Sequence, residues 1–512
     1  MGARTELTRI DLRQAAFTYD RNYETLPDSA LIYPTKNINY HEGGVSKRGG
    51  TTIIVTPSVA SRVMGGIDFR TPSNQYMVYA KNNGKVYHTD DSNEIATGMS
   101  ASNYFHFSQF NDELYISDGT TNPKKWTGSG SASAVTPATD WVTFGQPFQI
   151  IYHARGVNAR NWAITPYAVF ASKNNDGSDF ADATVKKIQV YSTGGLVGAY
   201  EFNGELFVFS KTETFRISDE DDDSANWGYE KLIYEGGVAH WRLIVAAGNQ
   251  LYAMSEDSHV FQLNAVFNTG DYEAVSLAKP SYIDRYLREI ATIDTINEWN
   301  CAYDRKLRAI KFFVRTSGAA PDTALVYFID RDPTIAWAIH DNLNYASGYN
   351  ASASFSYRKA VGDWRIRTGD SSGRIWELES TSRDDNSNSY ENRFKFKPWE
   401  FDNPVMWKYF RKIIARVRSV SNATFTVRIW VNGIRKSDVT LDVSGSGSMF
   451  DTALFDDAVF ADDVISFEPF DIGHYGFSLQ IEFVNDVAGQ DYIFSELVIP
   501  VKEEGVRFND NN

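Results

Sequence analysis

A short aromatic-rich strand, a polar turn and a second short strand recur along most of this chain, and few folds can use so many near-copies of one hairpin. Gln75 to Ala80 and Lys85 to His88 flank Lys81-Asn82-Asn83-Gly84. Glu113 to Ser117 and Pro123 to Trp126 flank a turn that begins Asp118-Gly119. Glu205 to Phe209 precedes Thr214 to Ile217, and Gln250 to Met254 precedes His259 to Leu263. Ala324 to Ile329 and Ala336 to Ile339 lie either side of Asp332-Pro333. Trp364 to Arg367 and Arg374 to Leu378 flank Gly369-Asp370-Ser371-Ser372-Gly373. A weaker copy, Tyr167 to Ala171, runs into Asn174-Asn175-Asp176-Gly177. β-Branched and aromatic residues on both sides of Gly, Asn, Asp or Ser define a β-hairpin. Most copies are spaced by roughly 35 to 55 residues, near the period of four-stranded propeller blades. The pattern predicts an all-β chain organised as an irregular β-propeller, with several separate sandwiches as the rival arrangement.

One interval is longer and holds the best helix. Pro280 stands near its start, and Ile283, Tyr286, Leu287 and Ile290 follow at helical spacing, so a helical insertion is expected near 280–292. Asp384 to Asn392 is polar and suits a linker. Beyond it, Tyr409 to Val417, Thr424 to Val431, Gly476 to Val484 and Tyr492 to Val501 read as longer strands, with turns at Asn432-Gly433 and Ser444 to Ser448. The division expected is an N-terminal arm over 1–55, a propeller over 56–392 and a C-terminal β-sandwich-like domain over 393–512.

Composition narrows the function. The net charge is −15, from 50 Lys and Arg against 65 Asp and Glu. General duplex binding needs a basic footprint, so the chain is not expected to hold DNA tightly. A single cysteine, Cys301, excludes an intramolecular disulfide and thiolate-rich metal sites. Met1 to Asp20 has no apolar core of a secretory signal, and no run approaches about 18 consecutive apolar residues. Synthesis in a cytoplasm, with no membrane-spanning segment, is the expectation.

Catalytic chemistry is not readable. There is no G-x-S-x-G elbow and no phosphate-cradling loop leading into a helix, and Cys301 lies in no nucleophile signature. The eight histidines show no metal-ligand spacing. Asp219 to Asp223 could gather a hard cation, but a plain charge run reads first as a solvated loop. Asp370-x-x-Gly373-x-x-Trp376 approaches the Asp-box turn of sialidase propellers with one residue too many. That near-match keeps a carbohydrate-binding or glycan-processing propeller, such as a receptor-binding tail protein, as the alternative function. No catalytic, metal or cofactor-binding residue is assigned.

The charge pattern that stands out is Trp407 to Arg418. In an unbroken strand the even-numbered residues share a face, so Lys408, Lys412, Arg416 and Arg418 would line one side with Phe410 and Ile414 between them. Such a stripe on an acidic protein is a candidate contact for an acidic partner or DNA phosphate, or a guarded sheet edge.

Three stretches then resemble the tail-nozzle (tail-hub, packaged-DNA stabilisation) β-propeller proteins of short-tailed bacteriophages. Asn37-Ile38-Asn39-Tyr40 followed by Gly43-Gly44-Val45-Ser46-Lys47-Arg48-Gly49 is similar to their N-terminal run. Asp112 to Gly119 with Pro123-Lys124-Lys125-Trp126 resembles one of their hairpins. Tyr303-Asp304, Val326-Tyr327-Phe328 and Trp337 resemble a blade, and the stretch from Trp407-Lys408 is similar to a C-terminal strand of the group. The resemblance implies a non-enzymatic virion structural protein: a homo-oligomer, expected as a hexameric ring, below the portal and head-to-tail adaptor rings. It would extend the DNA channel, help retain packaged double-stranded DNA, allow its ejection, and dock tail spikes or fibres. Lys47 and Arg48 would then be contacts of the N-terminal arm, and the protein would be assembled in the host bacterial cytoplasm and reside in the virion tail.

Overall fold

The computed structural model describes residues 5–20, 22–41, 43–155, 158–182, 185–221, 224–232, 236–265, 272–341, 350–401, 404–419, 422–443 and 465–505. The chain is mostly β. Among the described residues, seven of nine sheets have four strands each. Sheet I is Val63–Arg70, Gln75–Lys81, Lys85–His88 and Asp90–Ala96; sheet II is His106–Phe110, Glu113–Ser117, Lys124–Trp126 and Ser133–Ala134. Sheet III is Gln149–Arg155, Asn158–Ile164, Ala168–Ala171 and Lys186–Gln189; sheet IV is Leu196–Phe202, Glu205–Ser210, Thr214–Ser218 and Gly228–Lys231. Sheet V is Ile244–Ala247, Gln250–Met254, Val260–Ala265 and Tyr272–Ser276; sheet VI is Asn300–Asp304, Ala309–Val314, Thr323–Phe328 and Trp337–His340. Each of the seven hairpins read from sequence falls in a different one of these sheets.

Sheet VII breaks the order. Its first three strands, Ala353–Ala360, Asp363–Gly369 and Ile375–Ser380, are consecutive, but its fourth is Gly50–Val55 from the other end of the chain. The first strand of each sheet lies against the first strand of the next, and that of sheet VII against that of sheet I. Residues from all seven first strands, or just before them, line a common cavity of about 190 Å³. Tertiary packing rather than local propensity therefore fixes these strands: most are too short to be stable alone.

The expected helix forms at Ile283–Ile290 between sheets V and VI, with Pro280 in the preceding 3-10 turn Lys279–Ser281. Ile283, Tyr286 and Leu287 are buried. Tyr286 meets Tyr19 and Phe17 edge-on, at ring-centroid distances of 5.4 and 6.5 Å.

The remaining two sheets share one hydrophobic core. The first has six strands, Thr5–Asp11, Ile38–His41, Gly44–Lys47, Trp407–Ser419, Ile465–Gly476 and Tyr492–Gly505; the second has seven, including Ala16–Thr18, Ala30–Lys36, Asn392–Phe396, Ala423–Val431 and Leu479–Asn485. Phe494 of the first sheet packs on Phe394, Phe425 and Phe483 of the second at 4.9–5.1 Å. Residues 1–55, expected as an arm, are instead woven through this unit where described, except that Gly50–Val55 completes sheet VII. Thr5–Asp11 pairs along its whole length with Tyr492–Gly505, and Ala30–Lys36 pairs with Asn392–Phe396. The reason is that the arm carries its own apolar residues, Ile10, Leu12, Leu31, Ile38 and Val45, all at most 1% exposed, and they are covered by the C-terminal strands together with sheet VI. The Asn432-Gly433 turn forms, with both residues at positive φ, whereas Ser444 to Ser448 lies outside the described residues.

Candidate functional site

The Gly-Gly-Val-Ser-Lys-Arg-Gly-Gly run sits where sheet VII, sheet VI and the six-stranded sheet meet. Lys47 and Arg48, expected as arm contacts, are instead buried in this junction. Arg48 makes a bidentate pair with Asp385, at 3.0 and 2.6 Å, donates through Nε to Asn37 Oδ1 at 3.0 Å, and stacks 3.9 Å over the Tyr390 ring. Lys47 Nζ donates to Asn485 Oδ1 at 3.1 Å and to the Val487 carbonyl at 2.7 Å; burial brings its ammonium down to about 8. A charged pair taken out of water is tolerated only when its hydrogen bonds are filled, and here Asp385, Asn485 and Val487 come from more than 330 residues along the chain. Neither residue presents an outward contact.

Beside them lies Glu379, fully enclosed and at φ 51°. Its Oε1 accepts from Lys311 Nζ at 2.6 Å, and its Oε2 accepts from the Gly49 N–H at 2.6 Å and Asn39 Nδ2 at 3.0 Å. His340 Nδ1 is 3.6 Å away. Burial pushes the Glu379 carboxyl up, but Lys311 and His340 outweigh it and hold it well below the usual carboxylate range. A Cβ at Gly49 would stand 2.5 Å from Glu379 Cα, and one at Gly50 would stand 1.8 Å from the Asp384 carbonyl oxygen. Glycine is therefore required on both sides of the point where the N-terminal strand enters sheet VII.

The basic stripe is rearranged by a β-bulge. Pairing of Trp407–Ser419 shifts register after Phe410 against both of its neighbouring strands. Lys408 and Phe410 point inward, Arg411 and Lys412 are both exposed, and thereafter the odd residues Ile413, Ala415 and Val417 turn inward. A bulge adds one residue to a strand and reverses which parity faces out, so Lys408 leaves the stripe: it is buried, with Nζ donating to the Met406 carbonyl at 3.2 Å. Lys412, Arg416 and Arg418 stay on the outer side and Arg411 joins them. Their neighbours across the sheet complete the surface. Arg9, Arg13, Arg416 and Arg418 line a depression of about 540 Å³ with Asp11 and Glu496, and Arg411, Lys412 and Lys502 line another with Tyr409 and Asp471. Glu496 lies 3.7 Å from Arg416 and 3.9 Å from Arg9. Phe467, Tyr475 and Leu7 stand exposed on the same face, and Arg416 lies over the Phe467 ring. The sequence signal for Arg9, Arg13 and Lys502 was absent, because each belongs to a strand or turn far along the chain.

The other chemical candidates are internal. The Asp370 carboxylate is inaccessible: Oδ1 accepts from the Ser372 and Arg374 N–H groups at 2.8 and 2.9 Å, and Oδ2 from Trp376 Nε1 at 2.9 Å. It locks its own turn. Asp219 is buried against His153 Nε2 at 3.1 Å and Arg155 at 3.6 Å, and Asp222 and Asp223 lie outside the described residues. Cys301 borders the common cavity, where burial pushes its thiol well up and suppresses the thiolate. Among the described residues no group of His, Cys, Asp and Glu is placed to hold a metal ion, and no helix is long and apolar enough to cross a membrane.

No known protein family matches the chain, and no curated protein matches it. Among solved structures it is similar to the computationally designed Ika8 protein, at 11% identity and TM-score 0.34, covering 64% of this chain and 99% of that one. It is similar to PorZ, a surface component of the type-IX secretion system of Porphyromonas gingivalis, at 13% identity and TM-score 0.39, covering 65% and 38%. It is also similar to BBS1N, solved in complex with ARL6DN, at 11% identity and TM-score 0.41, covering 66% and 97%.

Proposed function

We propose that this protein is a non-enzymatic assembly component, a seven-bladed β-propeller carried on a β-sandwich, acting as the nozzle or hub of a short-tailed phage tail. Support for the propeller comes from the cyclic succession of first strands, the cavity they share, and the N-terminal strand that completes the last sheet. The phage role comes from the sequence resemblance. The observation that carries an assembly role is the outer face of the six-stranded sheet. Arg9, Arg411, Lys412, Arg416, Arg418 and Lys502 stand there with exposed Phe467 and Tyr475, on a chain of net charge −15. Arginine and aromatic residues together are the composition of interface centres, and a cationic face on an acidic chain suits the acidic surface of an adaptor ring or of a neighbouring copy. The remaining acidic surface would repel DNA phosphate and let a genome slide past.

The carbohydrate alternative draws on the Asp370 turn, whose carboxylate is occupied inside the turn. The test is electron microscopy of the purified protein, alone and with a portal–adaptor complex. Six-fold rings capping the complex are expected, and compact monomers in both samples would overturn the proposal. The double variant Lys412→Glu/Arg416→Glu is expected to lose assembly while its melting temperature stays within a few degrees; equal assembly would remove this face from the interface.

A further inference from the structure

The cavity lined by the seven first strands is built unlike a packed core. Arg242 lines it, 94% buried by a relative exposure of 6%. Its guanidinium lies 3.5 Å over the Tyr104 ring and donates to the carbonyls of Glu298, at 3.3 Å, and Ser352. Among the described residues no carboxylate comes within ion-pair distance of it. A second guanidinium, Arg62, donates to the Tyr104 hydroxyl at 2.6 Å, lies 5.4 Å from the same ring, and has its buried Nε without a partner. Two positive groups thus converge on one tyrosine, with no carboxylate of the described residues in an ion pair with either. An isolated buried cation is costly, so the arrangement is electrostatically incomplete as it stands.

The strands beside Arg242 supply unpaired polar atoms. Asn300 is 2% exposed; its Nδ2 donates to the Ala351 carbonyl at 2.8 Å, and its Oδ1, an acceptor, has no partner. His106 Nδ1 and Ser354 Oγ, both on the cavity wall, are buried without partners as well. His106 is held by an edge-on contact with Trp241 at 5.1 Å. Buried polar atoms are normally satisfied, and several orphans of complementary kind around one space describe the ligand that would fill it. The guanidinium calls for an oxyanion. The Asn300 oxygen calls for a donor on the same molecule. The volume, about 190 Å³, admits a phosphate or a small hydroxy acid.

We propose that the axial cavity binds one small oxyanion that also carries a hydroxyl, its charge set against Arg242 and its hydroxyl donating to Asn300 Oδ1. The site is independent of the docking face and of the partner the protein assembles with. Hydrogen phosphate and sulfate separate the two halves of the recognition, since they match in size and shape and only hydrogen phosphate has a proton to donate. The experiment is thermal unfolding of the full chain titrated with sodium phosphate, sodium sulfate or sodium chloride at constant ionic strength and neutral pH. A saturable rise in melting temperature is expected with phosphate, a smaller one with sulfate and none with chloride. Ser354→Leu, which fills the cavity and leaves Arg242 in place, is expected to abolish the phosphate response. Asn300→Ala is expected to erase the preference for phosphate over sulfate by a factor of ten or so in affinity, the scale of one charge-assisted hydrogen bond. A rise that persists unchanged in folded Ser354→Leu, or that chloride reproduces, would mark an adventitious ion only and overturn the site. Water alone in the cavity of crystals grown with phosphate would overturn it independently of any variant.

Discussion

Replacing Glu379 with glutamine probes the point where the N-terminal strand is fastened. The carboxylate offers two oxygens to three donors: Lys311 Nζ on one side, the Gly49 N–H and Asn39 Nδ2 on the other. Glutamine keeps one oxygen and presents an NH2 where the other was, so either Lys311 or Gly49 must face a donor. Lys311 is 1% exposed and its remaining acid, Asp304, is 3.6 Å away; burial raises the Asp304 carboxyl, which makes it a weak substitute. Removing one partner of a buried pair costs about 3–5 kcal/mol, and an unsatisfied buried donor alone costs about 1–3 kcal/mol. Glu379→Gln is therefore expected to lose about 3–5 kcal/mol. The loss should appear in guanidinium unfolding and as faster amide exchange along Gly50–Val55. In the double variant Glu379→Gln/Lys311→Met the stranded ammonium is gone, and much of the loss should be regained. The pH dependence has a definite sign. The folded carboxyl titrates below its unfolded value near 4.5, so its stabilisation is present above that pH and disappears as the pH falls through the folded value. The deficit of the glutamine variant should shrink in acid. A loss under about 1 kcal/mol, with exchange along Gly50–Val55 unchanged, would refute the idea that this carboxylate fastens the strand.

Gly50→Ala places a methyl group 1.8 Å from the Asp384 carbonyl oxygen; backbone displacement is expected, with loss of sheet VII pairing by hydrogen exchange ahead of global unfolding. His106, His240 and His340 are each brought down to about 3 by burial. Because the unfolded chain takes up these protons near pH 6.5 and the folded chain does not, stability should fall as the pH drops from about 6.5 toward 3, read as the denaturant midpoint at a series of pH values; a flat profile would contradict neutral buried imidazoles. Asp370→Ala removes the acceptor that two backbone N–H groups and the Trp376 indole share, and a cost of about 2–4 kcal/mol is expected, measured by unfolding of the purified variant.

Much of the architecture was legible because it is local. Hairpins such as Glu205–Ser210 with Thr214–Ser218 alternate aromatic and aliphatic residues around a polar turn, and that signal survives without any knowledge of neighbours. The first strands were harder to see. His106–Phe110 carries His, Ser and Gln, which break the apolar alternation; His106 and Phe107 border the shared cavity and Gln109 bonds the Arg70 backbone. Ile465–Gly476 was missed because Pro469 and Gly473 argue against a strand; it lies at the edge of its sheet, where a proline costs no ladder bond on the open side. The basic stripe failed at one residue. Nothing around Arg411 signals a bulge, so the alternation was carried past the point where the strand reverses its faces. Lys47 and Arg48 looked like solvent-facing charges because Asp385, Tyr390 and Asn485 are adjacent only in three dimensions.

The way the two chain ends are joined also dictates the order in which the molecule can come into being. Gly50–Val55 leaves the ribosome early, but its partner Ile375–Ser380 follows more than 300 residues later, and Thr5–Asp11 waits longer still for Tyr492–Gly505. Until then many apolar residues of the first fifty lack their C-terminal cover and Gly50–Val55 is an unpaired edge, the kind of surface that invites wrong pairing. Synthesis interrupted before the last strands would leave sheet VII without its neighbours and the shared core half-empty. A chain of this design is effectively proofread by its late strands: only a molecule translated through Tyr492–Gly505 can close, and products that stop short of it should be left to chaperones and proteases.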